Sequence, residues 1–130
     1  MTRQRLLIDD TQRGAVFSPC KRYRYSLTRQ WSRAATINFI MLNPSTADEL
    51  LNDPTVERCE RRARRNGYGC LIVTNIFAWR STDPKALLTV EDPVGPENDR
   101  WLIHNVRQAD VVVCAWGVHK GRLQQRAMRV

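Results

Sequence analysis

Three short apolar runs in this chain each end in residues that can do chemistry. The run Thr36-Ile37-Asn38-Phe39-Ile40-Met41-Leu42 stops at Asn43-Pro44-Ser45-Thr46-Ala47-Asp48. The run Cys70-Leu71-Ile72-Val73-Thr74 stops at Asn75-Ile76-Phe77-Ala78-Trp79-Arg80, and Val111-Val112-Val113-Cys114-Ala115 stops at Trp116-Gly117-Val118-His119. An asparagine amide carries both donor and acceptor, so Asn75 could pair with the edge of a pyrimidine. Phe77 could stack on a base. His119 could donate a hydrogen bond or shuttle a proton. Asn43, Ser45 and Asp48 are the candidates for catalysis. Pro44, Asn75, Phe77, Arg80, Trp116, Gly117 and His119 are the candidates for holding a ligand. Each has a plainer alternative. Asn43 and Ser45 can bond the backbone of a turn, Asn75 can cap a strand end, and Trp79 and Trp116 can belong to a core.

These residues make one site only if the runs before them are parallel strands. Continuous apolar runs, buried on both faces, are what a parallel sheet needs. In open α/β sheets ligands bind beyond the carboxyl ends of the strands, and all three sets of residues sit at such ends. Helical segments separate the runs. Asp53-Pro54 gives an N-cap followed by proline at the first helical position. Val56, Cys59 and Ala63 then form an apolar stripe, and Gly67 stops the helix. Its other face carries Arg58, Arg61, Arg62, Arg64 and Arg65. Gly95-Pro96 opens a second helix with Leu102, Val106 and Ala109 as its stripe, and Asp83-Pro84 can start another. Upstream, residues 15–17 and 23–27 read as an antiparallel pair joined through Ser18-Pro19-Cys20. Strict alternation puts Tyr23, Tyr25 and Leu27 on one face and Arg22, Arg24 and Ser26 on a wet one, as suits an edge. The expected fold is α/β: a three-layer α/β/α sandwich around a short mixed sheet, with three parallel central strands and an N-terminal antiparallel hairpin. Residues 1–13 read as a flexible polar segment and residues 14–130 as one domain.

Composition narrows the partners. The chain has 130 residues, 42% hydrophobic and 26% charged, and a net charge of +8 that is mostly arginine. A basic surface of this kind attracts polyanions, of which nucleic acid is the commonest. Arg58, Arg61, Arg62 and Arg65 are the expected phosphate-binding surface. No run reaches the ~20 apolar residues of a membrane span, and the first residues lack the apolar stretch of a signal peptide. A cytoplasmic protein without a membrane partner is expected. Cys20, Cys59, Cys70 and Cys114 form no CxxC pair and have no histidine at ligand spacing, so no metal and no cofactor are expected. Cys70 and Cys114 read as small buried hydrophobes. There is no GxGxxG, no GxxxxGK[ST] and no GxSxG, so dinucleotide, P-loop and hydrolase-elbow sites are unsupported.

The stretches FIMLNPSTAD, DPTVERC, NGYG, VTNIFAWRSTDPKAL, DPVGPEND and AWGVHKG resemble the bacterial family known as domain of unknown function sixteen forty-three. The likeness runs from about Cys20 to Gly121. At a second level, FIMLNPS, LIVTNIFAW and VVVCAWGVHKG resemble the strand-end motifs of the uracil-DNA glycosylase superfamily. That resemblance implies that Asn43, Pro44 and Ser45 match a motif holding the attacking water, with Asn allowed in place of Asp. It implies that Asn75 matches the residue reading a flipped base, and that Trp116-Gly117 ends the third motif. The superfamily also carries a fourth strand and a His-containing loop, whereas this chain closes in a helical stretch over residues 124–130. The resemblance therefore implies a C-terminally truncated domain, inactive as it stands. The leading expectation is binding of a nucleobase, nucleotide or nucleic acid at the strand-end loops, with N-glycosidic hydrolysis in full-length relatives. The alternative is a non-enzymatic protein-interaction or regulatory module whose charge is incidental.

Overall fold

A computed structural model describes residues 11–117 and 121–130. Among these residues the fold is α/β, with a five-stranded mixed sheet and three α-helices. The strands are β1 (Gln12–Phe17), β2 (Arg24–Gln30), β3 (Thr36–Met41), β4 (Cys70–Asn75) and β5 (Val111–Cys114). The helices are α1 (Pro54–Arg65), α2 (Asn98–Gln108) and α3 (Gly121–Arg129), with a short 3-10 turn at Pro84–Leu88. The sheet order is β1-β2-β4-β3-β5. β1, β2 and β4 are antiparallel neighbours, whereas β4, β3 and β5 run parallel. The first residues of β1, Gln12 and Arg13, pair with Gln30 and Arg29 rather than belonging to a flexible lead. No helix among the described residues is long and apolar enough to cross a membrane.

Alternation along the strands sorts the core into two clusters. Leu27, Ile37, Phe39, Leu71 and Val73 pack with Val56, Cys59 and Ala63 of α1, the stripe its spacing predicts. Asp53 caps that helix, accepting from the Val56 amide at 2.9 Å. Ile40, Ile76, Phe77 and Leu87 pack with Leu102 of α2 and Ala127 of α3. Asp83 caps the 3-10 turn.

Three expectations are corrected. β2 is an interior strand, not an edge, and Arg24, Ser26 and Arg29 are buried with Tyr25 and Leu27. The edge is β1. The buried side of α2 is Asn98, Leu102 and Asn105, while Val106 is exposed and Ala109 lies past the helix end. Asn98 belongs there because its amide donates to the backbone oxygens of Asn75 and Ile76, at 2.8 and 3.2 Å. β5 is the other edge, so its valines are not buried on both faces: Val111, Val112 and Cys114 are exposed.

Candidate functional site

Parallel pairing brings the predicted strand ends together. Met41 lies opposite Asn75, and Ile40 opposite Cys114, so the segments beginning at Leu42, Ile76 and Ala115 leave from one edge. The first two stay zipped past the strands. Ile76 and Phe77 amides donate to Met41 and Leu42 oxygens at 3.0 Å, and the Ser81 amide donates to the Pro44 oxygen at 2.9 Å. On its other side the segment after β4 meets the β1–β2 turn, where Arg80 N–H donates to the Arg22 oxygen and Arg24 N–H to the Ala78 oxygen. An antiparallel bridge joins Tyr23 to Trp79, and their rings meet edge to face at 5.5 Å.

Two buried arginines of β2 hold this edge from beneath. The register steps by one residue, with Val16 opposite Ser26 but Phe17 opposite Arg24. Tyr25 is the extra residue of a β-bulge, which re-aims the side chains beyond it. Arg24 thereby reaches the same side as Leu27 and Arg29. It donates to the Ala47 oxygen at 3.2 Å and to Asn75 Oδ1 at 3.3 Å, while its Nε has no partner among the described residues. Burial pulls its pKa down to about 10, against the pull of nearby Asp53. Arg29 donates through Nε to Asn52 Oδ1 at 3.0 Å and through Nη2 to the oxygens of Asp48 and Leu51. Tyr23 and Tyr25 turn the other way, where both rings lie against Gly95. A methyl group at Gly95 would come within 2.9 Å of Tyr23, and its φ of +93° is itself costly for other residues.

Above these braces lies a cleft of about 340 Å³ lined by Lys21, Arg22, Ser45, Thr46, Trp79, Arg80, Ser81 and Thr82. Among the described residues three cations, four hydroxyls and one indole line it, and no carboxylate does. Arg80 lies over the Phe17 ring at 4.7 Å and donates to the Lys21 and Ser45 oxygens, so its charge is fixed in place. Arg22 sits 5.6 Å from the centre of the Trp79 ring. A smaller cavity of about 130 Å³ opens on the same edge beside α1, lined by Phe39, Met41, Thr55, Arg58, Cys59, Arg62 and Ala115.

Residues 24–130 match the family described as "Protein of unknown function (DUF1643)". The chain belongs to that family. No curated protein and no solved structure matches it.

In this DUF1643 chain the predicted residues divide by what they touch. Ser45 and Arg80 line the larger cleft. Asn43 stands beside it, its Nδ2 donating to the Pro44 and Ser81 oxygens at 3.2 and 3.0 Å. Pro44 is buried. Asp48 closes its own loop, with Oδ1 accepting from the Leu50 and Leu51 amides at 2.8 Å each. Those N–H groups hold its carboxyl below the usual range. Asn75 is buried, its Oδ1 taken by Arg24. Phe77 is core and cannot stack on a ligand, because the run of burial that starts in β4 continues through Ala78. Trp116 packs at the rim of that core and Gly117 is exposed with φ of +81°. His119 lies outside the described residues.

Of the expected phosphate surface, Arg58 and Arg62 line the smaller cavity, whereas Arg61 pairs with Glu57 at 3.5 Å and Arg65 is exposed. Sequence reasoning missed Lys21, Arg22, Thr46, Ser81 and Thr82 as site residues, and it gave Trp79 no role beyond the alternative of a core residue. It also set Arg24 on a wet face. The Tyr23–Trp79 bridge and the backbone bonds beside it carry the β1–β2 turn to this edge, and no local pattern announces such contacts.

Proposed function

We propose that this chain binds phosphate groups of a nucleotide or nucleic acid across the carboxyl edge of its parallel strands. The observation that carries the reading is the cleft of Lys21, Arg22 and Arg80 with its four hydroxyls and Trp79. Arginine and lysine supply charge-assisted donors to phosphate oxygens, hydroxyls add neutral ones, and an indole offers a face for a base. Among the described residues no carboxylate lines the cleft.

The same reading takes the fold as a three-layer α/β/α domain of uracil-DNA glycosylase type. Its support is the pair of core clusters, one with α1 and the other with α2 and α3. N-glycosidic hydrolysis at this edge would use Asn43. Its Nδ2 is fixed by two backbone oxygens, which leaves Oδ1 to accept from a water.

The test is binding of labelled single-stranded DNA, RNA and mononucleotides over a salt series. Lys21 and Arg22 are exposed, so Lys21→Gln/Arg22→Gln leaves the fold in place. For single strands each lost phosphate contact lowers the salt slope by about 0.7, so the double variant should lose about 1.4. Absence of binding to any nucleotide or nucleic acid at low salt overturns the proposal and leaves the protein-interaction module in its place.

A further inference from the structure

We infer that the ligand of this edge is a single-stranded oligonucleotide that spans two cationic recesses, rather than a mononucleotide seated in one. The inference rests on the phosphate-binding reading above and specifies its substrate class. The larger recess lies over β2 and β4, because Trp79 and Arg80 pair with the turn that leads into β2. The smaller lies against β3 and β5, because Met41 ends β3 and Ala115 follows β5. Neighbouring strands are ~4.8 Å apart, and the order β2-β4-β3-β5 puts two to three such steps between the recesses, roughly 10–15 Å. A stacked strand advances ~3.4 Å per nucleotide, so about three to four nucleotides cover that distance.

The two recesses differ in a way that suits one strand. The larger holds an indole among cations and hydroxyls, a stacking platform beside phosphate donors. The smaller holds Arg58 and Arg62, one helical turn apart and about 6 Å along α1. Among the described residues neither arginine has a carboxylate within ion-pair distance, in contrast to Arg61 and Arg64 on the same helix. Arg58 makes a long contact of 3.4 Å to Thr55 Oγ1. Among the described residues Arg58, Arg62 and Arg65 are thus the arginines of α1 without a carboxylate partner, and two of them line this recess, while Arg61 and Arg64 are held by Glu57 and Glu60. At about 130 Å³ the smaller recess has room for a phosphate and its sugar but little more.

The experiment measures affinity of the whole chain for thymidylate oligomers of one, two, four, six and eight nucleotides. It compares the wild type with Arg58→Gln/Arg62→Gln. In the wild type, affinity should rise by at least about tenfold between two and six nucleotides and then level. The double variant should remove that rise and reduce the hexamer's salt slope by about 1.4, while binding the mononucleotide as before. A dinucleotide bound as tightly as an octamer overturns the bridging. So does a double variant that keeps the wild-type length dependence, or a paired duplex that binds more tightly than the single strand. Any of these leaves the larger cleft intact as a site. Loss of binding at every length, in the wild type itself, overturns the phosphate-binding reading as well.

Discussion

Replacing Asn75 by alanine separates a ligand-reading amide from one spent on the fold. An amide kept free for a ligand would be lost at little cost in stability. Here Oδ1 accepts from the buried guanidinium of Arg24 at 3.3 Å, and Arg24 already has an unmade Nε donor. Asn75→Ala leaves that cation with the Ala47 oxygen as its remaining partner. A hydrogen bond to a charged group contributes roughly 1.5–3 kcal/mol, and the desolvated donor is left unsatisfied. For 130 residues the unfolding entropy is about 270 cal/mol/K, so a loss near ~2 kcal/mol lowers Tm by about 7 °C. Asn75→Asp keeps an acceptor beside Arg24 and adds an opposite charge, so it should recover at least half of the drop. Thermal unfolding followed by circular dichroism, with urea titration as a second measure, reads both variants. An alanine variant melting within about 2 °C of wild type, or an aspartate variant melting below the alanine one, would refute the dependence of Arg24 on Asn75.

Two other outcomes follow from single groups. Asp48 is held ionised by the Leu51 and Leu50 amides, so its contribution is present above the unfolded carboxyl's pKa of about 3.9 and is lost as pH falls through its lower folded value. Asp48→Asn should therefore lower stability near neutrality, where that contribution is present, and flatten the stability–pH curve below pH ~4, and an unchanged acid limb would show that the turn does not hold the charge. The Ser18 hydroxyl, 3.3 Å away, and the Arg22 amide lower the pKa of exposed Cys20, while burial raises Cys59 and Cys70. Alkylation followed by mass spectrometry should mark Cys20 before Cys59 and Cys70, with a midpoint below the ordinary thiol's pKa of about 8.5; equal rates at the three would mean that the sheet opens readily.

The parts of the fold that were legible in the sequence are those fixed by neighbours in the chain. Asp53-Pro54 and the Val56, Cys59, Ala63 spacing announce α1, because capping and helical period are local. The apolar runs announce β3 and β4, and parallel pairing then puts Asn43 and Asn75 at one edge. What failed depended on partners distant in sequence. Strict alternation set Arg24 outside because a bulge cannot be seen from period two. Phe77 looked available for stacking because nothing local says that burial outlasts the strand. β5 was read as central from its valines alone, although the sheet order makes it an edge. The cleft combines the β1–β2 turn with two strand-end loops, and its cations were scattered over some sixty residues of sequence.

The extra residue at Tyr25 sets the phase of β2. Arg24 and Arg29 are an odd number of positions apart, so an unbroken pleat would send them to opposite sides. With the bulge, one strand grips both Ala47 and the Asp48–Asn52 stretch. Deleting Tyr25 would leave Arg24 and Arg29 four positions apart, so a regular pleat would again send both to one side, with Phe17 still opposite Arg24 and Val16 opposite Ser26. Smoothing the bulge without removing a residue would instead turn Arg24 away from Asn75 and release the carboxyl edge while composition and charge stayed the same. Homologues that keep the edge should therefore carry either the bulge with five positions between these two arginines or a regular strand with four.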